Sequence, residues 1–148
     1  WVVPTFQHPF GKEMAPFQSR CDMIAAALAH LGPSVRVVPV EERLGGTSYT
    51  VRTVEALQEA HPDHRFSWVC GADAWASRES WWEWERLSGM LDWLVIGRDG
   101  TPDSFGAPVQ LPDVSSSAVR VAIADGGDVS GLVSSEVLEI IGERRLYR

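Results

Sequence analysis

Several groups of residues in this chain combine side-chain types and spacing that could do chemistry. Gly71-Ala72-Asp73 follows directly on the β-prone run Phe66–Cys70. A glycine there lets a ligand approach the backbone, and the Asp73 carboxylate can accept hydrogen bonds from ribose or ring donors. The plainer alternative is a strand-to-helix turn with Asp73 as helix N-cap. Ser48-Tyr49-Thr50 follows Gly45-Gly46 and would open a helix. Hydroxyls and first-turn N–H groups without intrahelical partners suit an anion, although simple capping by Ser48 or Thr50 accounts for the same residues. Val114-Ser115-Ser116-Ser117-Ala118-Val119-Arg120 places three serines at a helix start, with Arg120 about one turn in. Folded back, that arginine would complete a phosphate cradle; the alternative is a serine-capped helix with a solvated arginine.

Aromatic residues supply a fourth group. Trp81, Trp82 and Trp84 follow Asp73 by eight residues or more. Neighbouring Trp81 and Trp82 cannot both point into one helical stripe, so at least one ring is expected to face a groove, where a flat heteroaromatic could stack. Trp84 reads as packing. The loop His8-Pro9-Phe10-Gly11-Lys12 carries a histidine and a lysine that read as solvated, and His30, His61 and His64 lack metal-ligand spacing. Neither a phosphate-binding Walker loop nor a G-x-S-x-G elbow occurs.

These groups need elements to hold them. The spacing predicts a strand over 1–4, a loop over 5–16, a helix over 17–31 stopped by Gly32-Pro33, and a strand over 35–40. It predicts a helix from Ser48 to Ala60, with Val51, Val54 and Leu57 on one face, ended by His61-Pro62. A strand over 66–70, a short helix capped by Ser80, a strand over 91–96, a loop over 98–108 and a short strand over 109–111 follow. Two helices close the chain, from Ser115 to about Asp125 and from about Ser135 to Arg145. Strands alternating with helices at this spacing predict an α/β fold: Rossmann-like, three-layer α/β/α, with a mostly parallel sheet. In such sheets ligands bind beyond the carboxyl ends of the strands, where Gly71 and Asp73 lie.

Composition narrows the partners. With 148 residues, 22% of them charged, the chain is expected to form a single domain over 1–148. A net charge of −7 argues against nucleic acid, because phosphate backbones select for excess Lys and Arg. No apolar run reaches the roughly 20 residues of a membrane span, so no membrane partner is expected. Cys21 and Cys70 form no disulfide framework and read as reduced, buried thiols. The lack of an export signal points to a cytoplasmic location, and the exposed aromatic content points to a homo-oligomer.

Taken in order, these motifs resemble bacterial nicotinate-nucleotide adenylyltransferase of the nucleotidyltransferase superfamily. The resemblance runs from Trp1-Val2-Val3-Pro4-Thr5 through the loop with Lys12, Arg20 and Met23, Gly45–Thr50, Gly71-Ala72-Asp73 and Trp81. It continues through the Ser115–Arg120 segment to Leu146-Tyr147. It implies adenylyl transfer from ATP to nicotinate mononucleotide, giving nicotinate adenine dinucleotide and pyrophosphate in NAD biosynthesis, with Mg²⁺ accompanying ATP. By the same resemblance Tyr49, Thr50 and Trp81 hold the nicotinate nucleotide, with Trp81 stacking on the pyridine ring. Main-chain N–H groups of Val51 and Trp82 take the nicotinate carboxylate, and Gly71 and Asp73 contact the bound nucleotides. Ser116, Ser117 and Arg120 hold the ATP phosphates, with Arg120 stabilising their charge. No residue of this chain is expected to act as a nucleophile or to ligate a resident metal.

Some features depart from the pattern. The family's opening G-x-F-x-P-x-H-x-G-H motif is absent from these 148 residues. Its two histidines stabilise the transition state in the family, so the chain is expected to be a fragment lacking a first strand and helix. Ser117 replaces the usual Thr, and Trp82 stands where Tyr or His is common. An adenylyltransferase for another phosphate acceptor (nicotinamide mononucleotide or phosphopantetheine) is the alternative enzyme. A non-catalytic nucleotide-binding module is the alternative of a different class.

Overall fold

The computed structural model describes residues 1–98, 110–112 and 114–148. It divides the chain into two compact units, Trp1–Ser48 with Val114–Arg148, and Tyr49–Asp113. Each is described by itself.

The central unit is built on a parallel sheet of order β1-β2-β3, with β1 at Ser67–Gly71, β2 at Asp92–Arg98 and β3 at Gln110–Leu111. β1 and β2 pair in register from Ser67↔Asp92 to Gly71↔Ile96, and β2 meets β3 at Gly97↔Gln110 and Arg98↔Leu111. The strands therefore fall within a residue or two of the expected runs. The loop expected over 98–108 lies outside the described residues from 99 on, as does Val109.

Helix α3 (Thr50–Ala60) presents Val51, Val54 and Leu57 to the interior, all buried, as the apolar spacing requires. Val51 and Val54 meet Leu87, and Trp68, Trp81, Trp84, Met90, Leu91 and Trp93 pack around them. Each such aliphatic side chain contributes about 1.5–3 kcal/mol by leaving water.

Two local expectations are corrected here. Tyr49, not Ser48, is the N-cap of α3. The Ser48 hydroxyl instead accepts from the main-chain N–H groups of Phe6 and Gln7, both at 3.0 Å. Nor does Ser80 start a helix carrying Trp81 and Trp82. A 3₁₀ turn occupies Arg78–Ser80, and helix α5 runs only over Trp84–Ser88. Glu83 caps α5 in a left-handed conformation, φ 54° and ψ 41°, and breaks the helical path between Trp82 and Trp84. Nothing in the residue types marks that break, since left-handed backbone is normally signalled by Gly or Asn. The short helix α4 (Ala72–Ala76), directly after β1, has too few residues to show a period and was not foreseen.

The terminal unit packs helix α1 (Phe17–Leu28) against α7 (Ser135–Glu143). α1 ends sooner than Leu31. A 3₁₀ stretch takes over at Ala29–Ser34, because Pro33 disfavours helical backbone at Gly32, which adopts φ 69°. Arg144 ties the two helices together, pairing with Asp22 at 2.6 Å and donating to Ser19 Oγ at 3.1 Å. The expected strands over 1–4 and 35–40 are reduced to one parallel bridge, Val2↔Val37, and at Pro39 the chain leaves the second of them for the unforeseen helix α2 (Val40–Leu44). Helix α6 (Ser116–Ala124) matches its expected span. It closes on a Schellman turn in which Gly127 N–H donates to Ala122 O at 2.7 Å and Gly126 takes φ 72°.

Candidate active site

At the carboxyl end of β1 the chain turns straight into α4 through Gly71, placing Asp73 in the first helical turn. Asp73 does not cap that helix; Gly71 is the N-cap and receives no side-chain bond. The glycine has a different use. A Cβ at position 71 would lie 2.6 Å from Asp73 Oδ1, so a side chain there would displace the carboxylate. Just upstream, burial and then the Asp73 charge push the Cys70 thiol above its usual pKa. The thiol therefore stays protonated near neutral pH.

The aromatic residues of the same unit divide into two kinds. Trp81 is half-buried and meets Trp84 and Trp93 edge to face, with ring centroids 6.2 Å and 5.8 Å away. Trp75 joins the group, 5.6 Å from Trp84 and 5.4 Å from Trp93, with the Arg78 guanidinium 4.9 Å from its own centroid. Trp82 stands outside this box at 56% exposure and stacks on Tyr49, 5.1 Å between centroids at 29°. Tyr49, Thr50 and Val51 form the entry to α3. Val51's side chain is core, which leaves its main-chain N–H in the first turn as the part able to meet a ligand.

In the terminal unit the serine–arginine segment folds as its spacing proposed. Ser115 is the N-cap of α6 and accepts from Ala118 N–H at 3.4 Å. Ser116 and Ser117 occupy the first turn, and Arg120 reaches back to donate to Ser117 Oγ at 3.0 Å. Arg120 also lines a cavity of about 720 Å³ whose wall gathers His8, Lys12, Arg20, Arg145 and Arg148. Arg20 is largely engaged there, donating to Ala15 O at 2.9 Å and Thr5 O at 2.5 Å. Lys12, read from sequence as solvated, thus faces a cationic cavity. Arg145 and Arg148 were missed altogether. Their only signal was the basic run closing the chain, and it is tertiary folding that brings them to Arg120.

Arg120, bonded to Ser117, thus stands in the wall of a cavity lined largely by cationic side chains, and Asp73 stands beyond the carboxyl end of a parallel strand. The cytidylyltransferase-like family model matches residues 1–122. The chain belongs to the cytidylyltransferase-like family. Its relatives in that family include a protein of Anaeromyxobacter sp. (strain K) named probable nicotinate-nucleotide adenylyltransferase, 42% identical over all of this chain and 80% of its own length. A protein of the same name from Myxococcus xanthus is 33% identical over 99% of this chain and 77% of its own. Among solved structures, Plasmodium falciparum nicotinic acid mononucleotide adenylyltransferase complexed with NaAD aligns at a TM-score of 0.79 and 18% identity, covering 99% of this chain and 81% of that one. At that identity the likeness shows the fold, which is the Rossmann-like α/β fold expected from the alternation of strands and helices. Among the described residues no helix is long and apolar enough to cross a membrane.

Proposed function

We propose that the protein transfers the adenylyl group of ATP to nicotinate mononucleotide, releasing pyrophosphate and forming nicotinate adenine dinucleotide. One observation carries the reading above others: 42% identity, along the whole chain, to a relative named for this reaction. In the reaction a 5′-phosphate oxygen of nicotinate mononucleotide bonds to the α-phosphorus of ATP, and the bond from that phosphorus to its bridging oxygen breaks. The electron pair leaves on pyrophosphate. Such a transfer needs little covalent help from the protein, so positioning and charge stabilisation supply the acceleration.

Each residue then has a task. Arg120 and the Ser116 and Ser117 donors at the start of α6 face the charge that grows on the leaving pyrophosphate. Asp73, placed by Gly71, accepts from ribose hydroxyls. Tyr49, Thr50 and the main-chain N–H groups of Val51 and Trp82 hold the nicotinate end, and the open part of Trp81 stacks on the pyridine ring. Gly71 lets the nucleotide approach the strand end.

The described residues contain no group of three or more His, Cys, Asp or Glu able to hold a metal ion. Mg²⁺ takes phosphate oxygens and water in preference to an all-protein cage, so it would arrive with ATP. Bound to the phosphates, it would offset their charge. The histidine pair that the resemblance assigns to the triphosphate is not among these 148 residues. The test uses the full-length protein with ATP, Mg²⁺ and nicotinate mononucleotide, and separates the products chromatographically. Nicotinate adenine dinucleotide should accumulate one-for-one with pyrophosphate. Trp81→Ala should weaken nicotinate mononucleotide by about 1–3 kcal/mol if the indole stacks on the ring. An unchanged affinity removes Trp81 from the site.

A further inference from the structure

Trp82 and Glu83 are not ordinary surface residues. A tryptophan at 56% exposure has no packing need to lie flat on Tyr49. Its indole Nε1–H donates to Glu83 Oε1 at 2.9 Å, and Arg86 Nη1 donates to Glu83 Oε2 at the same distance. Arg86 is anchored in turn on Glu55 of α3. A chain of charge-assisted bonds therefore runs from α3 through α5 to the indole of Trp82. Glu83 itself sits at φ 54°, a backbone conformation that a non-glycine residue keeps only where its surroundings over-determine it. Its carboxylate accepts both of these hydrogen bonds.

Geometry gives the network a consequence. The Tyr49 and Trp82 centroids lie 5.1 Å apart in a stacked arrangement. A third ring between them would need a plane separation of about 7 Å, twice the ~3.5 Å contact distance between carbons. A flat ring can use the Tyr49 face that Trp82 covers only if Trp82 moves aside, and the bond to Glu83 opposes that movement.

We propose that Glu83 is a positioning residue that latches Trp82 over Tyr49, so that the acceptor nucleotide, whose pyridine ring the reading above puts on Trp81, reaches Tyr49 only by displacing the Trp82 indole. The inference rests on the proposed acceptor site at Tyr49 and names its specificity device. An acceptor whose contacts at Tyr49 outweigh the stacked indole enters; one without them leaves the latch shut. The latched state also lowers the observed affinity, because the binding-competent fraction of the protein is reduced by it.

Two variants open the latch by different routes. Trp82→Phe keeps a ring but loses the Nε1–H donor. Glu83→Gly loses the acceptor at a position whose φ glycine adopts freely, so folding is not threatened. The experiment titrates full-length wild type, both variants and the double variant with nicotinate mononucleotide by calorimetry, and follows intrinsic fluorescence alongside. The expected result is about threefold or more tighter binding in each single variant, with no further gain in the double variant. The fluorescence change on binding, present in wild type, should shrink in Trp82→Phe. The KM for ATP should not move in Glu83→Gly. A merely structural role for Glu83 predicts the opposite direction, with weaker binding and a lower Tm. Affinities at or below the wild-type value in both variants overturn the latch while the acceptor site stands. Failure of the wild type to bind nicotinate mononucleotide at all overturns the acceptor site, and the latch with it.

Discussion

Gly71 and Arg120 are the residues at which the account is most exposed to single substitutions. Gly71 has an ordinary φ of −72°, so alanine is tolerated by the backbone; what it displaces is the Asp73 carboxylate. Gly71→Ala should therefore leave the Tm within a degree or two and raise nucleotide KM about tenfold, the loss of one charged hydrogen bond worth about 1.5 kcal/mol. Steady-state kinetics beside a melting curve reads both. Arg120→Ala should cut kcat about a hundredfold or more, as removal of a preorganised donor does elsewhere, with a small effect on stability because the side chain is only partly buried. Of these residues the sequence disclosed a good deal. The return of Arg120 to Ser117 is an i, i+3 contact that helical spacing alone anticipates. The path from Trp82 to Trp84 was not readable in its true form, because it turns on a left-handed glutamate whose residue type gives no sign of that conformation.

Short and long elements differ in the same way. Helices α3, α6 and α7 carry enough turns for an apolar stripe, and their spans agree with the spacing to within a few residues. Helices α2, α4 and α5, five residues each, do not. They exist because tertiary neighbours hold them, and a pattern three or four residues long carries no period. The capping of α6 is a testable element. Ser115→Ala removes the acceptor for Ala118 N–H and should cost about 1 kcal/mol, lowering the Tm by a few degrees without touching Ser116 or Ser117.

The α1–α7 tie gives a pH dependence. Hydrogen bonds from Gln18 and then Arg144 hold the Asp22 carboxyl below its usual pKa. A depressed folded-state value means stability present above the unfolded carboxylate range, near pH 4, and lost as pH falls through the lower folded value. Denaturant melts between pH 6 and pH 2.5 should show that part of the acid loss vanish in Asp22→Asn, and its contribution shrink in high salt.

For the whole molecule, the α/β class followed from alternation, and the family from an ordered set of motifs each weak by itself. What the sequence did not disclose is how charge is distributed. A net charge of −7 conceals a cavity walled by Lys12, Arg20, Arg120, Arg145 and Arg148, assembled from residues more than a hundred positions apart. Acidic composition bears on polymeric nucleic acid and says nothing against a nucleotide in a local basic site. The central claim is that this site works on a nicotinate nucleotide and ATP. Its most direct test is pyrophosphate release by the full-length protein with ATP and Mg²⁺, offered nicotinate mononucleotide, nicotinamide mononucleotide or phosphopantetheine in parallel. The account predicts release that depends on the acceptor and is fastest with nicotinate mononucleotide. Release that is faster with either of the other acceptors, or absent with all three, would contradict it.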